Sequence, residues 1–222
     1  MESLISTAVK TQPRITFAYC CLILSLITAK VSAEEDANAE LARTQLEEVA
    51  GDMVSALQDP LVRTDVHQIE QLVQRILVPH IDFRTSSNLV LGPHWKDASE
   101  TQRVAFINEF QAFLVRFFTG ALASYVDSEA VPVNVMSFRE EPRPKGERQV
   151  FVRSHIGQSG GDEIAVEYRM YWHDAWKVID VSVAGISMVQ SYRSNFTSTI
   201  ERQGIDVLIA QLQERNRSFS IK

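Results

Sequence analysis

The run Ile164-Ala165-Val166-Glu167-Tyr168-Arg169-Met170-Tyr171-Trp172 decides the fold. Ile164, Val166, Tyr168, Met170 and Trp172 fall on one side and Glu167 and Arg169 on the other, the period-two pattern of a strand with one apolar face. A second run, Trp176 to Val183, aligns Ile179, Val181 and Val183, and the polar pair His173-Asp174 falls between the two runs. Two alternating runs joined by about two polar residues read as an antiparallel hairpin.

Working outward, Gln149 to Ile156 and Val131 to Phe138 read as two earlier strands, separated by the polar turns Glu140–Gly146 and Gly157–Asp162. The four strands make an antiparallel meander. Downstream, Gly185-Ile186-Ser187 leads into a helix carrying Val189, Tyr192, Phe196 and Ile200; Gly204 closes it, and Ile205 to Leu212 forms a short last helix. Upstream, Leu46, Val49, Met53, Val54 and Leu57 recur at helical spacing until Asp59-Pro60. Thr64-Asp65 caps a second helix, with Val66, Ile69, Leu72, Val73, Ile76 and Leu77 on one face, which Pro79 stops. A bend and a short helix to Leu91 follow, closed by Gly92-Pro93.

The strongest helical signal is Ser99-Glu100-Thr101-Gln102, the spacing of a capping box. Phe106, Phe110, Phe113, Leu114, Phe117, Phe118, Leu122 and Tyr125 then form one wide stripe. Each aromatic ring can bury about 150–250 Å², so this helix needs an equally apolar partner, and the sheet is available. Helices, then four strands, then helices make an α+β arrangement, a four-stranded antiparallel meander covered by several helices. Between sheet and helices lies either a filled core or an apolar pocket; both have the same residues.

The first 33 residues stand apart. Lys10 and Arg14 precede an uncharged run from Ile15 to Ala29, and Val31-Ser32-Ala33 offers small residues for cleavage, so residues 1–33 read as a secretory signal peptide. The run is shorter than the ~20 residues that span a bilayer. Cys20 and Cys21, the chain's two cysteines, leave with it. The remainder then has neither disulfides nor thiol chemistry. Its charge becomes 19 basic against 27 acidic residues, a poor match for nucleic acid or for an anionic membrane surface.

Polar motifs are sparse. His80 and Asp82, two apart, with His94 farther along, could contribute to a metal site, but no His lies four residues from another on a helix and nothing completes the set, so a structural bend is the plainer reading. There is no Gly-x-Ser-x-Gly elbow, phosphate loop or metalloprotease helix. An acid/base enzyme built from scattered Asp, His and Tyr stays open, with Asp180 as a candidate because it interrupts an apolar run.

Several linked stretches carry a resemblance: Ile76-Leu77-Val78-Pro79-His80-Ile81-Asp82-Phe83; Leu89-Val90-Leu91-Gly92 and Trp95; the Gln102–Tyr125 helix; Trp176-Lys177-Val178-Ile179-Asp180-Val181; Gly185-Ile186-Ser187; Tyr192-Arg193-Ser194-Asn195-Phe196; and Gly204-Ile205-Asp206 with Leu208-Ile209. Together, over residues 46–216, they resemble the periplasmic phospholipid-binding proteins of the Mla pathway, the toluene-tolerance family. The resemblance implies a phospholipid-binding domain at 34–216, a C-terminal tail at 217–222, and a carrier rather than an enzyme, with phospholipid as cargo and no other cofactor. It implies a periplasmic location and two partners: an inner-membrane ABC transporter complex bearing a mammalian-cell-entry domain, and an outer-membrane lipoprotein–porin complex. On this reading Phe110, Leu114, Phe117 and Phe118 form one wall of a lipid pocket. Val150, Val152, Ile164, Val166, Tyr168, Met170, Val181 and Val183 form the other. The alternative is a cone-shaped, nuclear-transport-factor-like domain whose pocket acts catalytically on a small hydrophobic substrate.

Overall fold

Ser99 and Gln102 open the longest helix by reciprocal capping: the Gln102 N–H donates to Ser99 Oγ at 3.2 Å and the Ser99 N–H to Gln102 Oε1 at 2.9 Å. The computed structural model describes residues 40–127, 137–140, 148–157 and 163–218. The expected signal peptide, residues 131–136 of the expected first strand, most of both polar turns and residues 219–222 of the expected tail lie outside the described residues.

The helical layer comprises α1 (40–57), α2 (Pro60–Arg63), α3 (Val66–Leu72), α4 (Phe83–Leu91), α5 (His94–Asp97), α6 (Glu100–Asp127), α7 (Met188–Gln203) and α8 (Ile205–Ser218). Asp65 caps α3 through the His67 N–H, as its position before the apolar stripe predicts. The chain does not stop cleanly at Pro79. It widens to a π turn over Val73–Leu77 and tightens to a 3-10 turn over Val78–His80. Proline lacks the N–H that would continue the α-helix. α4 ends at Gly92, whose φ of +55° is open to glycine but strained for other residues; the Arg193 side chain packs beside it and donates to the Leu89 carbonyl. The last helix runs to Ser218, past the expected Leu212.

Helix α6 packs most extensively on α8, and also on α3 and α4. Phe106 and Phe110 stack with centroids 5.5 Å apart, and Phe196 of α7 meets both edge-on at 5.9 and 6.1 Å. Phe83, Val90, Leu91, Val189, Leu208 and Leu212 complete that core. A second cluster joins Met53 and Leu57 of α1, Ile69 and Leu72 of α3, and Val126 of α6.

The sheet is antiparallel in the order β1 (Ser137–Glu140), β2 (Gln149–Gly157), β3 (Glu163–Trp172), β4 (Trp176–Val183) and β5 (Ile186–Ser187). The meander has its four predicted strands, with β3 and β4 joined around His173 to Ala175 as read. Two features add to it. A bulge between Arg169 and Met170 shifts the β3–β4 register. Beyond β4, Ala184 and Gly185 both take positive φ, 48° and 80°, and turn the chain back into β5, the backbone signs of a type I′ hairpin.

Candidate functional site

Register builds the site. Val150 pairs with Met170, Val152 with Tyr168, Ser154 with Val166 and Ile156 with Ile164. Across the next ladder Tyr168 pairs with Val181 and Val166 with Val183. Directly opposed residues share a face, so all eight sheet residues singled out above lie on one continuous apolar surface. The reverse face is polar: Arg153 pairs with Glu167 at 2.9 Å, and Arg169 donates to Gln149 at 2.9 Å.

Burial along this face is graded. Near the β3–β4 turn, Met170 and Val152 have no exposed surface, and Val150, Val178 and Trp176 are buried. Toward the other end Val166 is still buried, but Ile156, Ile164 and Val181 are only half-buried, Val183 is 40% exposed and Ile186 is 65% exposed. Trp172, on the same face at the turn itself, is 38% exposed, so the face is most deeply buried around Met170 and Val152 and opens progressively toward Val183 and Ile186.

β4 is held against the helical layer by hydrogen bonds to its carbonyls and by one of its own side chains. The Asp82 N–H donates to the Val178 carbonyl at 3.0 Å, Ser86 Oγ to the Ile179 carbonyl at 2.9 Å, and Gln45 Nε2 to the Trp176 carbonyl at 2.9 Å. Lys177 Nζ reaches the Pro79 carbonyl. These contacts fall on Trp176 to Ile179, up to the bulge opposite Arg169 and Met170, and together they anchor the deeply buried stretch of the face.

The helical candidates divide. Phe110 is enclosed by Phe106, Phe113, Tyr192 and Phe196, and with Leu114 and Phe118 it belongs to the core shared with α4, α7 and α8. Phe117 is 42% exposed and meets Phe118 edge-on at 5.7 Å. The layers meet where β4 packs on α4 and α7. The sheet candidates are thus gathered on one surface, whereas Phe110 sits among aromatic rings contributed by helices.

Burial pushes the Tyr168 hydroxyl above the usual tyrosine range, with the Ser154 hydroxyl beside it pulling the other way. Burial, then the Lys177 charge, lowers His80, partly countered by Asp52. Neither arrangement supplies a nucleophile with its base. Asp180, the candidate acid, has both oxygens engaged, accepting from Ser187 Oγ and the Val189 N–H. Asp82 accepts from the Thr85 N–H and hydroxyl at the start of α4. Among the described residues no group of three or more His, Cys, Asp or Glu is placed to hold a metal ion, and no helix is long and apolar enough to cross a membrane.

A groove of about 510 Å³ that the sequence did not announce lies between α7 and α8, lined by Tyr192, Asn195, Thr199, Gln211 and Arg215. It is separate from the sheet face. Helical periodicity shows which residues face a neighbour but not where two neighbours diverge.

Residues 47–214 match the family described as MlaC protein. The intermembrane phospholipid transport system binding protein MlaC of Haemophilus influenzae is 25% identical over 158 residues, 69% of this chain and 71% of that protein. A phospholipid-binding protein from Ralstonia solanacearum, solved in complex with a phospholipid, superposes with a TM-score of 0.66 at 26% identity, covering 79% of this chain and 97% of its own.

Proposed function

The chain belongs to the MlaC family, and on that premise we propose that it binds phospholipid by its acyl chains and carries it, without catalysis, between two membranes. The tails lie along the sheet face formed by β2, β3 and β4, with their ends toward Met170, Val152 and Trp176 and the headgroup at the open end near Val183. One observation carries this reading: an apolar surface that runs over three strands, deeply buried around Met170 and Val152 and increasingly exposed toward Val183. Its support from outside the chain is the phospholipid held by the Ralstonia relative. Phe117, Phe118 and Leu114 are the α6 residues we assign to the opposing wall, with Phe110 behind them.

Residues 1–33 serve as a cleaved signal peptide, and the mature carrier works in the periplasm between an outer-membrane lipoprotein–porin complex and an inner-membrane ABC transporter with a mammalian-cell-entry domain. The physics suits a shuttle. Two tails of about 15 methylenes each, at ~0.8 kcal/mol per methylene, carry roughly 24 kcal/mol of burial free energy relative to water. That exceeds the roughly 18–21 kcal/mol at which non-covalent affinities saturate. The bilayer already hides the tails, so exchange between bilayer and protein is close to neutral in free energy. The barrier is the exposure of tails during transfer, and docking to a partner lowers it.

The test is uptake of a tail-labelled phosphatidylethanolamine from vesicles by delipidated protein. The carrier reading expects stoichiometric uptake that Val166→Arg abolishes while the circular dichroism spectrum stays folded. Folded wild-type protein that takes up no lipid would refute it.

A further inference from the structure

We infer that the turn Val183-Ala184-Gly185-Ile186 is the docking tip of this carrier, seated during lipid hand-over in an apolar recess at the lipid port of a membrane-bound protein. The inference rests on the carrier reading and deepens it.

All four residues of the turn are exposed, and none carries a polar side chain. Two-residue hairpins with positive φ at both positions favour Asn-Gly or Asp-Gly, which suit both the backbone and water. Here the first position is alanine at φ 48°, among the described residues the one non-glycine with positive φ. Its Cβ makes that conformation costly. An exposed turn that keeps alanine where asparagine would be relaxed, flanked by Val183 and Ile186, breaks the local preference twice, and neither departure helps the fold. Such local conflicts mark functional positions.

Position supplies the use. Val183 pairs with both Val166 and Ile186, so the tip continues the apolar sheet face beyond its open end. The Ala184 N–H donates to the Ala165 carbonyl at 2.9 Å, fixing the tip to β3. A tail leaving the sheet face would pass along the tip without meeting water.

Charge and shape select the occupant. The tip has no lysine or arginine, and the whole chain has a net charge of −6, so an anionic bilayer surface repels it rather than drawing it in. A two-residue turn is too narrow to form an interface on a flat surface, yet it fits a recess as an apolar anchor surrounded by weaker contacts. A protein port with an apolar interior matches both properties.

Ala184→Asn and Ile186→Thr test this. Mature protein loaded with labelled phosphatidylethanolamine is mixed with three acceptors: envelope membranes from cells that express the chain, the same membranes shaved with protease, and protein-free vesicles of phosphatidylethanolamine and phosphatidylglycerol. Both variants should load lipid as wild type does and deliver it to native membranes about tenfold more slowly, the loss typical of removing one anchor. Ala184→Asn should also melt no lower than wild type, because asparagine relaxes the turn, so slow delivery cannot be ascribed to misfolding. Unchanged delivery by both variants would overturn the inference. Shaved membranes that accept lipid as fast as intact ones would overturn it too, as would equal slowing toward protein-free vesicles, which would make the bilayer the occupant. Wild-type protein that loads no phospholipid at all would instead remove the carrier reading on which the inference stands.

Discussion

Ser187 Oγ donates a 2.6 Å hydrogen bond to Asp180 Oδ2, while Asp180 Oδ1 accepts from the Val189 N–H at 3.0 Å. Ser187 Oγ in turn accepts from the Gln190 N–H, so one carboxylate and one hydroxyl join the middle of β4 to the first turn of α7. A negative group at a helix N-terminus also meets the positive end of the helix dipole. The polar residue that interrupts the apolar run Val178 to Val183 is thus a structural bolt between the layers.

Asp180→Ala should therefore lower unfolding free energy by about 1–3 kcal/mol, the cost of leaving charge-assisted donors without their acceptor. Asp180→Asn should lose less, because its amide oxygen can still accept one bond. Urea denaturation of the delipidated protein measures both. Unchanged stability in both variants would contradict this structural role.

Stability should fall on mild acidification. Gln45 donates its amide to both the Trp176 carbonyl and His80 Nδ1, at 2.9 and 3.1 Å, which requires Nδ1 to accept and the ring to be neutral. Burial and Lys177 lower the His80 pKa below its ordinary value of 6.5, so between the two values the unfolded chain binds a proton that the folded chain does not. The contribution is fully present above pH 6.5 and is lost as pH falls toward the lowered value. Melting temperature at pH 7.5 and pH 5.5 reads this, and His80→Gln should reduce the difference between them. An equal difference in the variant would assign the acid sensitivity to other groups.

Tyr168 works at the opposite end of the scale. Its pKa is raised above 10 by burial, so the folded chain keeps a proton that the unfolded chain releases. Its contribution is present below pH 10 and declines as pH rises toward the raised value. Tyr168→Phe should flatten the alkaline loss of stability between pH 9 and pH 11, and an unchanged profile would contradict this.

Core and cargo wall should separate under mutation. Phe110→Ala should cost about 3–5 kcal/mol of stability, as expected for removing a ring enclosed by other rings. Val181→Asp, at a half-buried position on the open stretch of the sheet face, should instead lose bound lipid with a smaller change in unfolding midpoint. The reverse pattern would exchange the roles of the two positions.

What could be read from the sequence follows the physics of each signal. Strict period-two alternation fixed the shared face of Ile164, Val166, Tyr168 and Met170, because a one-residue slip would have turned all of them outward. The capping box located the start of α6 to the residue. The β3–β4 bulge was not legible, because an extra apolar residue such as Ile179 looks the same as an ordinary core position. The tight turn at Ala184-Gly185 is not legible either, because alanine carries no turn signal. The aromatic stripe of α6 gave its apolarity but not its partners: Phe110 faces Tyr192 and Phe196 of α7, a long-range pairing that only the packing of whole helices decides.

Native mass spectrometry of the purified mature protein, followed by organic extraction, tests the carrier reading most directly. The account predicts a protein mass raised by a stoichiometric phospholipid, with mixed headgroups in the extract because the headgroup lies at the open end. A folded protein at its bare mass that also stays bare after incubation with phosphatidylethanolamine vesicles would contradict it.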